Sequence, residues 1–322
     1  MDFVIFILAM GGLIFGADFI VNQSERIALR FNISEFIIGS TLIALGTSLP
    51  EMAASMAASF DNKSEIAIAN AVGSNIMNIT LVLAVIFILS KPSHWKETRT
   101  RDFFSKDSIW ALMPILIFLL MAIDGEIGKF DASLLFLLMF AYLLFLLQDA
   151  RNDEVGEVDQ DLRKDFSWFG SISLLILGFI MVVLGANFAI DSASNIATSF
   201  GVSEWLIGVV VLAFGTSLPE LIVSITAVIK GKVAMAIGNI IGSNLANTTM
   251  VIGGAAMINN LDISLKIYSY DLAIMTVATI MLIYITANKL YSKPAGISLL
   301  IVLSLFLYEK VYPAIPIIIP AS

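Results

Sequence analysis

Gly46-Thr47-Ser48-Leu49-Pro50-Glu51 returns unchanged as Gly215-Thr216-Ser217-Leu218-Pro219-Glu220, 169 residues later and again inside an apolar run. A carboxylate in a hydrophobic span resists leaving water, and a proline removes one helical hydrogen bond and disturbs the turn before it. Packing alone does not explain the same unfavourable combination at two places. The pair points to a two-fold site for a cation inside a membrane protein.

Composition agrees. The chain has 322 residues, 58% of them hydrophobic and 14% charged, with a mean hydropathy of +0.93. Soluble domains carry about 25% charged residues, so this is read as an integral membrane protein. Cysteine is absent, which excludes disulfides and thiolate metal sites. The single histidine, His94, sits in a polar connector and leaves no histidine-based zinc cluster. The net charge of −8 comes largely from connecting segments. That charge says little about partners; cations and the lipid bilayer are those expected, with no nucleic acid. No basic segment precedes the first apolar run, so residues 3–21 read as a retained helix and not a cleaved signal.

A membrane crossing takes roughly 20 apolar residues. Ten segments qualify, at 2–22, 36–60, 65–90, 107–123, 130–148, 168–191, 203–229, 233–257, 268–287 and 294–309. The tail 310–322, with Pro313, Pro316 and Pro320, reads as an irregular piece. With the N-terminus outside, the inner connectors carry Arg26, Arg30, Lys91, Lys96, Arg99, Arg101, Lys106, Arg151, Arg163, Lys164, Lys230, Lys232, Lys289 and Lys293. These are 14 of the 18 basic residues, so the positive-inside rule places both termini outside the cell membrane. Residues 149–167 hold seven acidic and three basic residues. Their spacing fits no EF-hand loop, and they read as a solvated cytoplasmic linker between halves 1–148 and 168–322.

The halves are copies. Gly16-Ala17 matches Gly185-Ala186, Gly39 matches Gly208, and Asn70, Gly73, Ser74, Asn75 and Asn78 match Asn239, Gly242, Ser243, Asn244 and Asn247. No insertion is needed between Gly16 and Val82. Five spans per copy is an odd number, so the second copy lies upside down. The fold expected is all-α, with ten transmembrane helices in two inverted five-helix repeats, a construction typical of secondary transporters.

The repeated motifs supply hard oxygen ligands. Pro50 should break or kink its helix near Ala44–Gly46 and free backbone carbonyls, while Thr47 and Ser48 share a helical face with Glu51. Ala213, Thr216, Ser217 and Glu220 repeat the arrangement. On the following helices Asn70, Ser74 and Asn78, and their mates Asn239, Ser243 and Asn247, recur every fourth residue along one face. Gly73 and Gly242 allow close helix approach. Carboxylates with neutral oxygens suit calcium, and nitrogen and sulfur donors for softer metals are missing. Serine, threonine and asparagine in membrane helices often only join helices, and a proline often only kinks one. An intramembrane carboxylate is different, because it is functional by default. Asp18, whose repeat mate is Asn187, reads equally well as snorkelling to the interface or lining an ion path.

Two inverted copies of a G-T-S-x-P-E helix followed by a G-S-N helix resemble the alpha repeats of the sodium/calcium exchanger family, within the cation/calcium antiporter superfamily. The resemblance spans all ten segments and is most specific at 39–51, 70–82, 208–220 and 239–251. It implies eight core helices around the site, with the first and sixth spans sliding to alternate access. It also implies exchange of about three sodium ions for one calcium. By motif position it puts Glu51, Glu220, Thr47, Thr216 and the carbonyls of Ala44 and Ala213 at calcium, and Ser48, Ser74, Ser217 and Ser243 at sodium. Asn247 stands where the potassium-dependent branch carries Asp, which argues against potassium transport. Two carboxylates balance one calcium ion, so the stoichiometry comes from the resemblance and not from the residues.

The leading expectation is a sodium-driven antiporter that extrudes calcium, working as a single chain with no cofactor beyond its transported ions. A calcium/proton antiporter using the same two glutamates is the nearest rival, although the proton-coupled branch typically carries G-N-x-x-E at this place. A calcium channel would usually place its pore between subunits. An intramembrane enzyme is not expected, since no HExxH, paired protease aspartates or Ser/Lys dyad falls in the spans.

Overall fold

Long apolar runs without water to satisfy their backbone must close their hydrogen bonds internally, and helices do so. The structure, a computed structural model, describes residues 1–95, 106–152, 167–202 and 215–311. In chain order its main helices are α1 (Asp2–Phe31), α2 (Glu35–Thr47), α3 (Leu49–Phe60), α4 (Ser64–Leu89), α5 (Ser108–Met121) and α6 (Lys129–Asn152). They are followed by α7 (Trp168–Ser199), α8 (Leu218–Ile229), α9 (Val233–Ala246, continued by Asn247–Val251 and Ile252–Ile258), α10 (Leu265–Ala287) and α11 (Lys293–Val311). Five of these, α1, α4, α6, α7 and α10, are each long and apolar enough to cross a membrane, and the bent α2–α3 pair makes a sixth. The order accommodates the ten expected spans. The opening part of the seventh and the tail 312–322 lie outside the described residues, as do most of the linker and Gly208.

The two halves interleave. Helix α2 packs on α9 with the backbones in contact, because glycines face backbone there: a Cβ on Gly39 would stand 2.2 Å from the Met235 carbonyl oxygen, and one on Gly242 would stand 2.4 Å from that of Ser40. The close approach expected at Gly242 is present. At Gly73 no described atom comes within 4 Å of such a Cβ. Helices α1 and α7 form a second close pair, with a Cβ on Gly16 falling 2.8 Å from the Gly178 carbonyl. They run antiparallel, since Asn195 near the end of α7 donates to Asp2 at the start of α1 (3.5 Å) and the Phe31 and Trp168 rings meet at the other end (5.4 Å). A two-stranded ribbon, Glu126–Ile127 with Leu261–Asp262, ties the halves at one surface.

Candidate cation site

The local break around Pro50 differs from expectation in place and in kind. Ser48 leaves helical geometry (φ −84°, ψ 3°) and the axis bends by 41° between Thr47 and Leu49, after the expected Ala44–Gly46 turn. Proline explains the shift: it sits in the first turn of α3, where its missing N–H is one that the helix leaves unpaired anyway. Ala44 keeps its helical bond, its carbonyl accepting the Ser48 N–H at 3.0 Å. Its remaining lone pair faces the Thr47 and Ser243 hydroxyls at 3.3 and 3.5 Å. Glu51 therefore lies in the first turn of a new helix, and Glu220 does the same in α8. The partial positive charge of a helix N-terminus favours a carboxylate at that position by about 0.3–1 kcal/mol.

Both carboxylates are fully buried, with 0% exposure, and Ser48, one turn before Glu51, reaches across the repeats to Glu220. Among the described residues no lysine or arginine pairs with either. Neither Glu51 oxygen makes a hydrogen bond there, nor does Glu220 Oε2, while the Ser48 hydroxyl donates to Glu220 Oε1 at 3.5 Å. Buried polar atoms are nearly always bonded, and this concentration of unmatched acceptors is one that a positive ion would satisfy. The Ser217 hydroxyl, Asn78 Oδ1 and both amide atoms of Asn247 are likewise buried and unbonded among the described residues.

The surrounding bonds obey the repeat. Asn239 Oδ1 and the Ser243 hydroxyl lie 3.2 and 3.4 Å from the Thr47 hydroxyl; in the other copy Asn70 Oδ1 and the Ser74 hydroxyl lie 3.3 and 3.0 Å from that of Thr216. Each asparagine is held from behind by a serine absent from the expected set: Asn70 Nδ2 donates to Ser55 (2.9 Å) and Asn239 Nδ2 to Ser224 (3.1 Å). Asn70 also donates to the Glu51 carbonyl at 3.1 Å. Ser55 and Ser224 are related by the same offset of 169, which is the signal that finds them. Asn78 donates to Asn244 Oδ1 at 3.1 Å. At Asn78–Leu83 and again at Asn247–Val251 the helix widens into a π turn, a feature frequent at functional sites.

The structure thus gathers Glu51, Glu220, Thr47, Thr216, Ala44, Ser48, Ser74, Ser243, Asn70 and Asn239 around one centre bridging the two repeats, with Ser217, Asn78 and Asn247 buried on the same elements. Ala213 lies outside the described residues. No group of three His, Cys, Asp or Glu side chains gathers among the described residues, so neutral oxygens supply the rest of any coordination shell. A cavity of about 590 Å³ reaches the site from one face, lined by Asn70, Thr216 and both prolines and, further out, by exposed Glu65, Asn187 and Asp191. Asp18 pairs with Lys230 at 2.5 Å, while its mate Asn187 lines the cavity.

With this geometry in hand, the likeness to known proteins is informative. The sequence matches the family described as sodium/calcium exchanger protein over residues 1–148 and 170–311. It is 36% identical to membrane protein MJ0091 of Methanocaldococcus jannaschii, over 89% of this chain and 90% of that one. It is 29% identical to the sodium/calcium exchanger MaX1 of Methanosarcina acetivorans, over 97% and 99% of the two chains. A solved structure of the sodium-calcium exchanger NCX_Mj superposes with a TM-score of 0.78 at 30% identity, covering 96% of this chain and 98% of that one. This multi-pass membrane protein belongs to the sodium/calcium exchanger family.

Proposed function

We propose that the chain is a secondary antiporter that exchanges sodium for calcium by alternating access to the centre between Glu51 and Glu220, and that it serves to extrude calcium. The observation that carries this reading is the pair of fully buried carboxylates with unmatched acceptor oxygens. Two carboxylates neutralise one calcium ion, and neutral oxygens complete the six to eight ligands it takes. Glu51 and Glu220 are assigned to calcium together with Thr47, Thr216 and the Ala44 and Ala213 carbonyls. Ser48, Ser74, Ser217 and Ser243 are assigned to flanking sodium ions, with Asn70, Asn78, Asn239 and Asn247 offering further amide oxygens to the ions.

Sodium and calcium compete for one set of charges, which couples their movements. When calcium leaves, the carboxylates repel each other and draw in sodium. The lysine and arginine bias places both termini outside and residues 149–167 in the cytoplasm. In this reading the protein is a transporter with no enzymatic activity, works as a single chain, and needs no cofactor or nucleic acid. Calcium uptake into vesicles under an imposed sodium gradient, compared with uptake under a pH gradient alone, tests the coupling. Sodium-dependent uptake is expected. Uptake driven by the pH gradient and indifferent to sodium would instead make the glutamates proton carriers.

A further inference from the structure

The two ends of the α1–α7 pair are built differently. At the end away from the cavity, α1 is bound by ions to the turn between α8 and α9. Lys230 contacts Asp18 at 2.5 Å and donates to Asn22 at 2.7 Å, and Lys232 bridges Glu25 of α1 (2.5 Å) and Glu35 of α2 (2.7 Å). Burial alone would lower the ammonium pKa of Lys232, but hydrogen bonds and charge from Glu25 and Glu35 outweigh it and hold the pKa above the ordinary lysine value.

At the cavity end, the mates of the α1 groups and of Lys230 cannot do the same, although Lys63 stands in the place of Lys232 and Glu204, outside the described residues, in that of Glu35. Asp18 becomes Asn187, Asn22 becomes Asp191, Glu25 becomes Ser194 and Lys230 becomes Asp61. Asp61 instead pairs with Lys63 of its own turn, at 3.4 Å and in solvent. Closing α7 onto that turn would bring Asp61 and its partner Lys63 towards Asn187, Asp191 and Ser194, so that two direct ion pairs are replaced by neutral contacts and a carboxylate approach that Lys63 only partly offsets. The helix faces behind the two turns differ accordingly: Ala54 of α3 is exposed in the cavity, whereas its mate Val223 of α8 is 1% exposed.

We propose that Asp18–Lys230 and Glu25–Lys232 form an ionic latch that keeps the end of α1–α7 remote from the cavity shut. Its absence at the other end biases the resting protein toward the state open at Glu65. The inference rests on the alternating-access reading above. It adds that the two access states are unequal, and that charges placed in only one repeat set the inequality.

The chain has no cysteine, so single reporters are clean. Val223→Cys reports opening on the Lys230 face and Ala54→Cys reports the cavity, each read as the labelling rate with a membrane-impermeant thiol reagent applied to the matching face of sealed vesicles. Adding Asp18→Asn and Glu25→Gln should raise labelling of the Val223→Cys reporter about fivefold, the population shift expected from losing part-exposed ion pairs. The Ala54→Cys reporter should not gain. The charge swap Asp18→Lys with Lys230→Asp should hold the Val223→Cys rate near the starting value. An unchanged rate in the neutralised protein, a rise at both reporters, or a swap that behaves like the neutralisation would overturn the latch. Labelling requires no transport, so the result stands apart from whether sodium drives calcium.

Discussion

Substituting Glu51→Gln removes one of the two charges that calcium is proposed to meet, and the structure sets the scale of the loss. The side chain is fully buried and no cation of the described protein compensates it. At a separation of about 4 Å and an effective dielectric of about 20, one unit charge attracts a divalent ion by about 8 kcal/mol. Desolvation of both partners consumes much of this. A surviving loss of about 3 kcal/mol weakens binding about 150-fold. The same substitution relieves a buried like-charge repulsion in the ion-free protein, so Glu51→Gln should melt at an equal or higher temperature than the parent without calcium. Calcium at 100 times the parent's Kd stabilises a binding protein by about 2.7 kcal/mol, and after a roughly 150-fold loss of affinity that increment should fall to about 0.3 kcal/mol in the variant. Thermal unfolding in detergent with and without calcium measures both effects and separates a lost site from a misfolded chain. Calcium-dependent stabilisation retained in both Glu51→Gln and Glu220→Gln would refute the placement of the ion.

Other consequences follow from the same geometry. Gly242→Ala should force α2 and α9 apart, destabilising the protein by about 1–3 kcal/mol, whereas Gly11→Ala, with no described atom within 4 Å of its Cβ, should melt as the parent does. Ser55→Ala should leave the Asn70 amide poorly held and cost about 1 kcal/mol; combined with Asn70→Ala its effect on melting should be less than additive, and Ser224 with Asn239 should behave alike. Ser243→Ala removes one of the neutral oxygens proposed as sodium ligands, worth about 1 kcal/mol. In vesicle flux it should raise the sodium concentration for half-maximal exchange about fivefold while changing calcium half-saturation less.

Much of the site was legible because its chemistry is written twice. The duplicated hexapeptide marked both glutamates, and the spacing of four marked the asparagine and serine faces, since a helix presents such residues together. Ser55 and Ser224 were harder to see. They lie off both motifs and matter only through the asparagines they orient, which requires knowing that α3 packs against α4. The break at Ser48 was misplaced because proline in a helix interior and proline in a helix's first turn look the same in sequence; only the position where the new helix begins tells them apart. The π turns at Asn78–Leu83 and Asn247–Val251 carry no local signal, because they change the hydrogen-bond register and not the composition. Asp18 was ambiguous because its partner Lys230 is 212 residues away and is brought to it by the crossing of the repeats.

The most direct test of the claim that two distant hexapeptides build one calcium site is to locate the ion. A structure determined in calcium without sodium, with the ion identified by anomalous scattering, should show one calcium about 2.3–2.6 Å from carboxylate oxygens of both Glu51 and Glu220. Calcium bound through only one of the repeats, or seated elsewhere in a protein that still exchanges it, would contradict that claim.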